Sequence, residues 1–145
     1  MNKATQWSAW VLILTTAIAP QAYANEFETA VTEEVKPFTQ AEIKQGMAEM
    51  QQRLLERIET WGKTLQPSDF ERTWRGRILN KPKRQEVCGI FQGIVNETYA
   101  MALNNQARLS AENRELLNDR NAFIQALGYE NNIVDTKMGF NCRLK

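Results

Sequence analysis

The chain has 145 residues, with 18 lysines and arginines against 17 acids, two cysteines and no histidine. That length suits one small domain, 43% hydrophobic residues suffice for a core, and a net charge of +1 gives no argument for a polyanion partner over the whole surface. The missing histidine excludes Ser-His and Cys-His catalytic pairs, histidine metal sites and the usual near-neutral proton shuttle.

Met1–Ser8 holds one charged side chain, Lys3, and is followed by the apolar run Ala9–Ala19. The run has signal-peptide length and is too short for a bilayer span of about 20 residues. Pro20 breaks it, and Ala22-Tyr23-Ala24 supplies a small-x-small cleavage pattern, so residues 1–24 are expected to be a signal peptide removed after Ala24. The short charged region and compact cleavage site point to a bacterial periplasm. No later stretch is apolar enough to cross a membrane. Residues 25–37, with Glu26, Glu28, Glu33 and Glu34, read as a flexible acidic lead-in, and 38–145 as a single helical domain.

Thr39-Gln40-Ala41-Glu42 forms a capping box. Beyond it Ile43, Met47, Met50, Leu54, Ile58, Trp61 and Leu65 recur at steps of three and four, predicting an amphipathic helix of about six turns. Gln66-Pro67 ends it. Ser68-Asp69-Phe70-Glu71 reads as a second capping box, opening a short helix with Phe70, Trp74 and Ile78 on its apolar face. That helix ends before Asn80-Lys81-Pro82. A third helix is expected from Arg84 to Asn104, lined by Val87, Phe91, Ile94, Thr98 and Met101. Ser110 caps a fourth helix that buries Leu116, Leu117, Phe123, Ile124 and Leu127 and closes at Gly128. The tail from Glu130 to Lys145 reads as irregular or a short helical turn. With no convincing period-two alternation, the expected class is all-α, about four helices in a small bundle or irregular helical domain.

Cys88 and Cys142 allow one intrachain pairing, and an exported chain without CxxC favours a structural disulfide tying the tail to the third helix. Closing so long a loop stabilises by roughly 4 kcal/mol in the chain-entropy account.

No catalytic constellation stands out. Glu97, at the edge of the apolar arc, is the one acid to consider for a glycosidase, which needs a second acid across a cleft. No partner acid is identifiable, so no enzymatic activity is expected. Asn96-Glu97-Thr98 is a sequon inside a helix and reads as accidental, and the acids of the tail lack calcium-loop spacing. No metal or other cofactor is expected. The clear charge bias is Arg72–Arg84, which holds Arg72, Arg75, Arg77, Lys81, Lys83 and Arg84 without an acid. Arg72, Trp74, Arg75 and Arg77 are therefore the candidate partner contacts, competing with a plain solvated face. Nucleic acid is not expected, because regularly spaced stacking aromatics are missing.

Cys88-Gly89-Ile90-Phe91-Gln92-Gly93 places a cysteine and two glycines four apart on the third helix, and close approach of another backbone, such as the tail, would explain the glycines. The run, with the position of Cys142, resembles the periplasmic immunity proteins that protect bacteria from type VI secretion amidase effectors. The resemblance covers Cys88–Gly93, size and export. The chain lacks the extra mid-chain cysteine of that group and orders the residues around Gly89 differently. It implies a small helical inhibitor that covers a secreted effector enzyme and carries over no contact residues. The resulting expectation is a periplasmic protein-binding module, an immunity protein or inhibitor. A chaperone or assembly adaptor using Met47 and Met50, and a carboxylate-dependent cell-wall hydrolase, are the alternatives.

Overall fold

Thr39 opens the first helix as its capping box requires: its Oγ1 accepts the Glu42 amide at 3.2 Å, and the Glu42 carboxylate accepts the Thr39 amide at 2.7 Å. The computed structural model describes residues 34–145, so the expected leader and residues 25–33 of the lead-in lie outside the described residues. Helix α1 spans Gln40–Gly62, and Met50 is its one fully buried residue. The rest of its predicted stripe is only half-covered, and Met47 is exposed.

The second predicted helix is a β-hairpin. Strand β1 (Phe70–Thr73) pairs antiparallel with β2 (Gly76–Leu79), Phe70 opposite Leu79 and Arg72 opposite Arg77. The supposed cap acts elsewhere: the Asp69 carboxylate accepts the Gln66 amide at 2.7 Å and closes a single 3-10 turn, Pro67–Asp69. The Asn80 amide donates to the Asp69 carbonyl at 2.8 Å and shuts the base of the hairpin. Steps of four, as from Phe70 to Trp74, fit a strand period of two as well as a helical one. Gly76, at φ +117°, decides between them, because a helix cannot pass through that conformation.

Helix α2 runs Lys81–Asn104, three residues longer at its start than expected. Pro82, taken as a breaker, sits in the first turn, where its missing amide costs nothing, and Asn80 Oδ1 accepts the Lys83 amide at 3.0 Å. The fourth predicted helix is two: α3 (Ala111–Leu116), capped by Ser110, and α4 (Arg120–Ala126), capped by Asp119. Asp119 Oδ1 accepts the Asn121 amide at 2.8 Å and restarts the chain in a new direction. Gly128 ends α4 as expected. At φ +96° its amide donates to Gln125 and the Tyr129 amide to Ile124, a Schellman closure.

From Ile133 onward the tail is neither irregular nor a helical turn. Strands β3 (Ile133–Asp135) and β4 (Asn141–Arg143) form a second hairpin, with Val134 opposite Cys142. The disulfide joins Cys88 to Cys142, as expected. The class is therefore helix-rich with two small antiparallel sheets rather than all-α.

The core gathers Val87, Phe91 and Val95 of α2, Ile124 of α4, and Val134, Cys142 and Leu144 of the tail. Leu54, Ile58 and Trp61 of α1 pack against its edge. Bonds to α2 and beyond hold α1 in place: Arg57 pairs bidentately with Glu97 at 2.7 and 2.9 Å, Trp61 Nε1 donates to Glu86 at 2.9 Å, and Arg108 meets Glu42 at 2.8 Å. Arg108 also donates to the Lys36 carbonyl and stacks on Phe38, so the last residues of the acidic lead-in are pinned to the domain.

The two glycines of α2 are not a site of backbone approach. A Cβ on Gly89 would meet nothing within 4 Å, and one on Gly93 would meet only the Arg57 guanidinium, at 3.8 Å. No described helix is long and apolar enough to cross a membrane.

Candidate functional site

The first hairpin carries all four candidate contact residues, and its pairing sorts them differently from a helix. Residues directly opposite in an antiparallel pair share a face, and alternate residues along a strand share it too. One face therefore carries Phe70 and Leu79 at the base, then Arg72 and Arg77, below the turn that holds Trp74. Leu79 is buried and Phe70 half-buried, so the base is docked on the body while the outer half projects into solvent. Glu71, Thr73 and Ile78 lie on the other face.

The turn itself is Trp74-Arg75, with both residues at ordinary negative φ and Gly76 absorbing the positive one. Trp74 is 87% exposed, the most exposed large hydrophobic side chain among the described residues. The Arg75 guanidinium lies 4.4 Å from the Trp74 ring, and Arg77 lies 5.4 Å from the Phe70 ring. Arg77 Nη2 also donates to the Pro67 carbonyl at 2.9 Å. Among the described residues, Arg72, Arg75 and Arg77 have no carboxylate within ion-pair distance.

The nearest acids are occupied or turned away. Asp69 closes its turn, and Glu86 binds Lys83 at 2.9 Å and the Trp61 indole. The Lys83 ammonium and then Trp61 hold the Glu86 carboxyl below the usual range, and Glu86 in turn raises Lys83. Arg72, Arg75 and Arg77 on the hairpin and Lys81 at the start of α2 remain as exposed cations.

No protein-family model, curated protein or solved structure is significantly similar to this chain.

Glu97 is engaged by Arg57. Its bidentate bond to Arg57 holds its carboxyl below the usual range, which opposes the protonated state that a glycosidase acid needs. Among the described residues no cluster of three or more cysteines, aspartates and glutamates is placed to hold a metal. A groove of about 620 Å³ runs between α1 and the end of α4, lined by Met47, Met50, Leu54, Phe91, Leu127 and Tyr129. A second groove on the opposite flank of α1 shares Met47 and Met50 and adds Phe38 and Met101, the last 49% exposed.

Composition pointed to the four contact residues, but not to Arg72 and Arg77 standing opposite each other. The signal for that was Gly76, four residues after Arg72 in a stretch rich in aromatic and β-branched side chains. Nor do the long-range pairs Arg57–Glu97 and Arg108–Glu42 have a sequence signature, because their partners lie 40 and 66 positions apart.

Proposed function

We propose that the protein is an exported, non-enzymatic binding module of the immunity or inhibitor kind, which neutralises a partner enzyme or toxin by covering its site with the Phe70–Leu79 hairpin. The observation that carries this reading is Trp74, 87% exposed at the apex of a projecting turn and flanked by three arginines without acidic partners among the described residues. Tryptophan and arginine are the residue types that most often dominate interface energetics when they become buried. A fixed base favours the same role: the Asn80 amide donates to the Asp69 carbonyl and Leu79 is buried, so little ordering is needed there on association.

The test is protection. Cells that direct a candidate toxin, sought among the products of neighbouring genes, to the periplasm should survive when the chain is co-produced and die when it carries Trp74→Ala. Equal protection by the Trp74→Ala chain, judged at matched protein levels, would remove the hairpin from the mechanism. The chaperone or adaptor reading is favoured by one observation, the two methionine-lined grooves flanking α1, since methionine surfaces adapt to varied apolar partners. Suppression of aggregation of an unfolded client, lost in Met47→Glu and retained in Trp74→Ala, would select it.

A further inference from the structure

We propose that Arg72 and Arg77 form a two-guanidinium clip for carboxylates, so that the hairpin docks on an acidic strip of its protein partner while Trp74 enters an apolar pocket beside it. The proposal rests on the partner-binding reading above and names the chemistry of the partner. Like charges directly opposite in an antiparallel pair repel, yet the register sets Arg72 against Arg77 on one face. No described acid relieves that repulsion: Glu71 stands on the other face opposite Ile78, and Asp69 is held by Gln66. An anion seated between the two guanidinium groups removes the repulsion and gains charge-assisted, forked hydrogen bonds.

Half of the clip is already oriented. Stacking on Phe70 and the bond to the Pro67 carbonyl fix Arg77, leaving the rest of its donors free. Arg75, stacked on Trp74, adds a third positive charge at the rim of any pocket that takes the indole. Side chains fixed before association lose less entropy on binding.

Two features favour a protein over other anionic partners. The apex offers one large apolar side chain, which suits a pocket better than the broad apolar face that holds a helix in a lipid surface. A single aromatic gives no stacking series for nucleic acid bases.

The experiment follows the Trp74 indole and the Arg72 and Arg77 Nε–H signals by nuclear magnetic resonance. The protein is titrated with a synthetic peptide, Glu-Asp-Leu-Glu-Asp-Glu, and separately with inorganic phosphate and phosphatidylglycerol vesicles at equal ionic strength. The peptide should shift all three signals, with an affinity that falls as salt rises and falls at least tenfold in the Arg72→Gln, Arg77→Gln double variant. Arg72→Lys with Arg77→Lys keeps the charge but not the fork, and should fall between the two, which separates clip geometry from simple charge and from misfolding. Signals indifferent to the peptide, a double Gln variant that binds as well as the parent, or phosphate or vesicles that match the peptide would each overturn the clip. Failure of the clip and failure of the reading differ in the protection assay. A double Gln variant that still protects, beside a Trp74→Ala chain that does not, sinks the clip alone, whereas protection by both sinks the partner-binding hairpin as well.

Discussion

Replacing Gly89 and Gly93 by alanine should stabilise the protein, and the expected gain follows from their surroundings. Both lie in the interior of α2, where glycine costs about 0.8–1 kcal/mol relative to alanine because it surrenders more backbone freedom on folding. A new Cβ at Gly89 faces open space, so nothing offsets that gain. At Gly93 the added methyl group meets only the end of the Arg57 side chain at 3.8 Å, an ordinary contact that leaves the pair with Glu97 intact. Together the changes should contribute about 1.5–2 kcal/mol. For a domain of about 110 residues, at about 4 °C per kcal/mol, the melting temperature should rise by about 6–8 °C. Urea unfolding followed by circular dichroism measures the free energy directly, with the slope expected to stay constant. A loss of 1 kcal/mol or more in either single variant would refute the reasoning. It would mean that another backbone packs on this face after all, as the paired glycines alone had suggested.

Three further outcomes are expected. Reducing the Cys88–Cys142 bond, which closes a 54-residue separation, should cost roughly 4 kcal/mol and lower the melting temperature by about 15 °C; identical melting with and without reductant would refute it. The Thr39 amide, then the Arg108 guanidinium and the Thr39 hydroxyl, hold the Glu42 carboxyl at about 2, against an ordinary value of 4.5. Because the folded value is the lower one, the stabilisation is fully present above pH 4.5 and is lost as pH falls through about 2. A carboxyl titration by nuclear magnetic resonance with its midpoint near 4.5 would contradict the capping geometry. Tyr99 donates to the Leu117 carbonyl at 2.6 Å and meets the Phe123 ring edge-on, so Tyr99→Phe should cost about 1 kcal/mol by orphaning that carbonyl while leaving the ring contact, and a neutral result would count against the bond.

Local chemistry made much of this protein legible from its sequence. The Thr39 capping box, the Ser110 cap, the Gly128 closure and the stripe through Val87, Phe91 and Ile94 each involve residues within a turn or two of one another. Such signals act before any tertiary contact exists, and the structure keeps them. With only two cysteines, the pairing followed once a bond was expected at all. Tertiary structure decided the rest, wherever a short segment had two nearly equal local options. Phe70–Leu79 could be read as a helix on spacing alone, and it became a hairpin because Gly76 turns the chain and Phe70 and Leu79 reach the body only from paired strands. The tail became strands because Val134, Cys142 and Leu144 must alternate inward to complete the core over α2. The candidate site shares that dependence. Composition could collect Arg72, Trp74, Arg75 and Arg77, but the strand register alone sets two arginines face to face beneath an exposed indole, because only pairing across the hairpin fixes which side chains share a face.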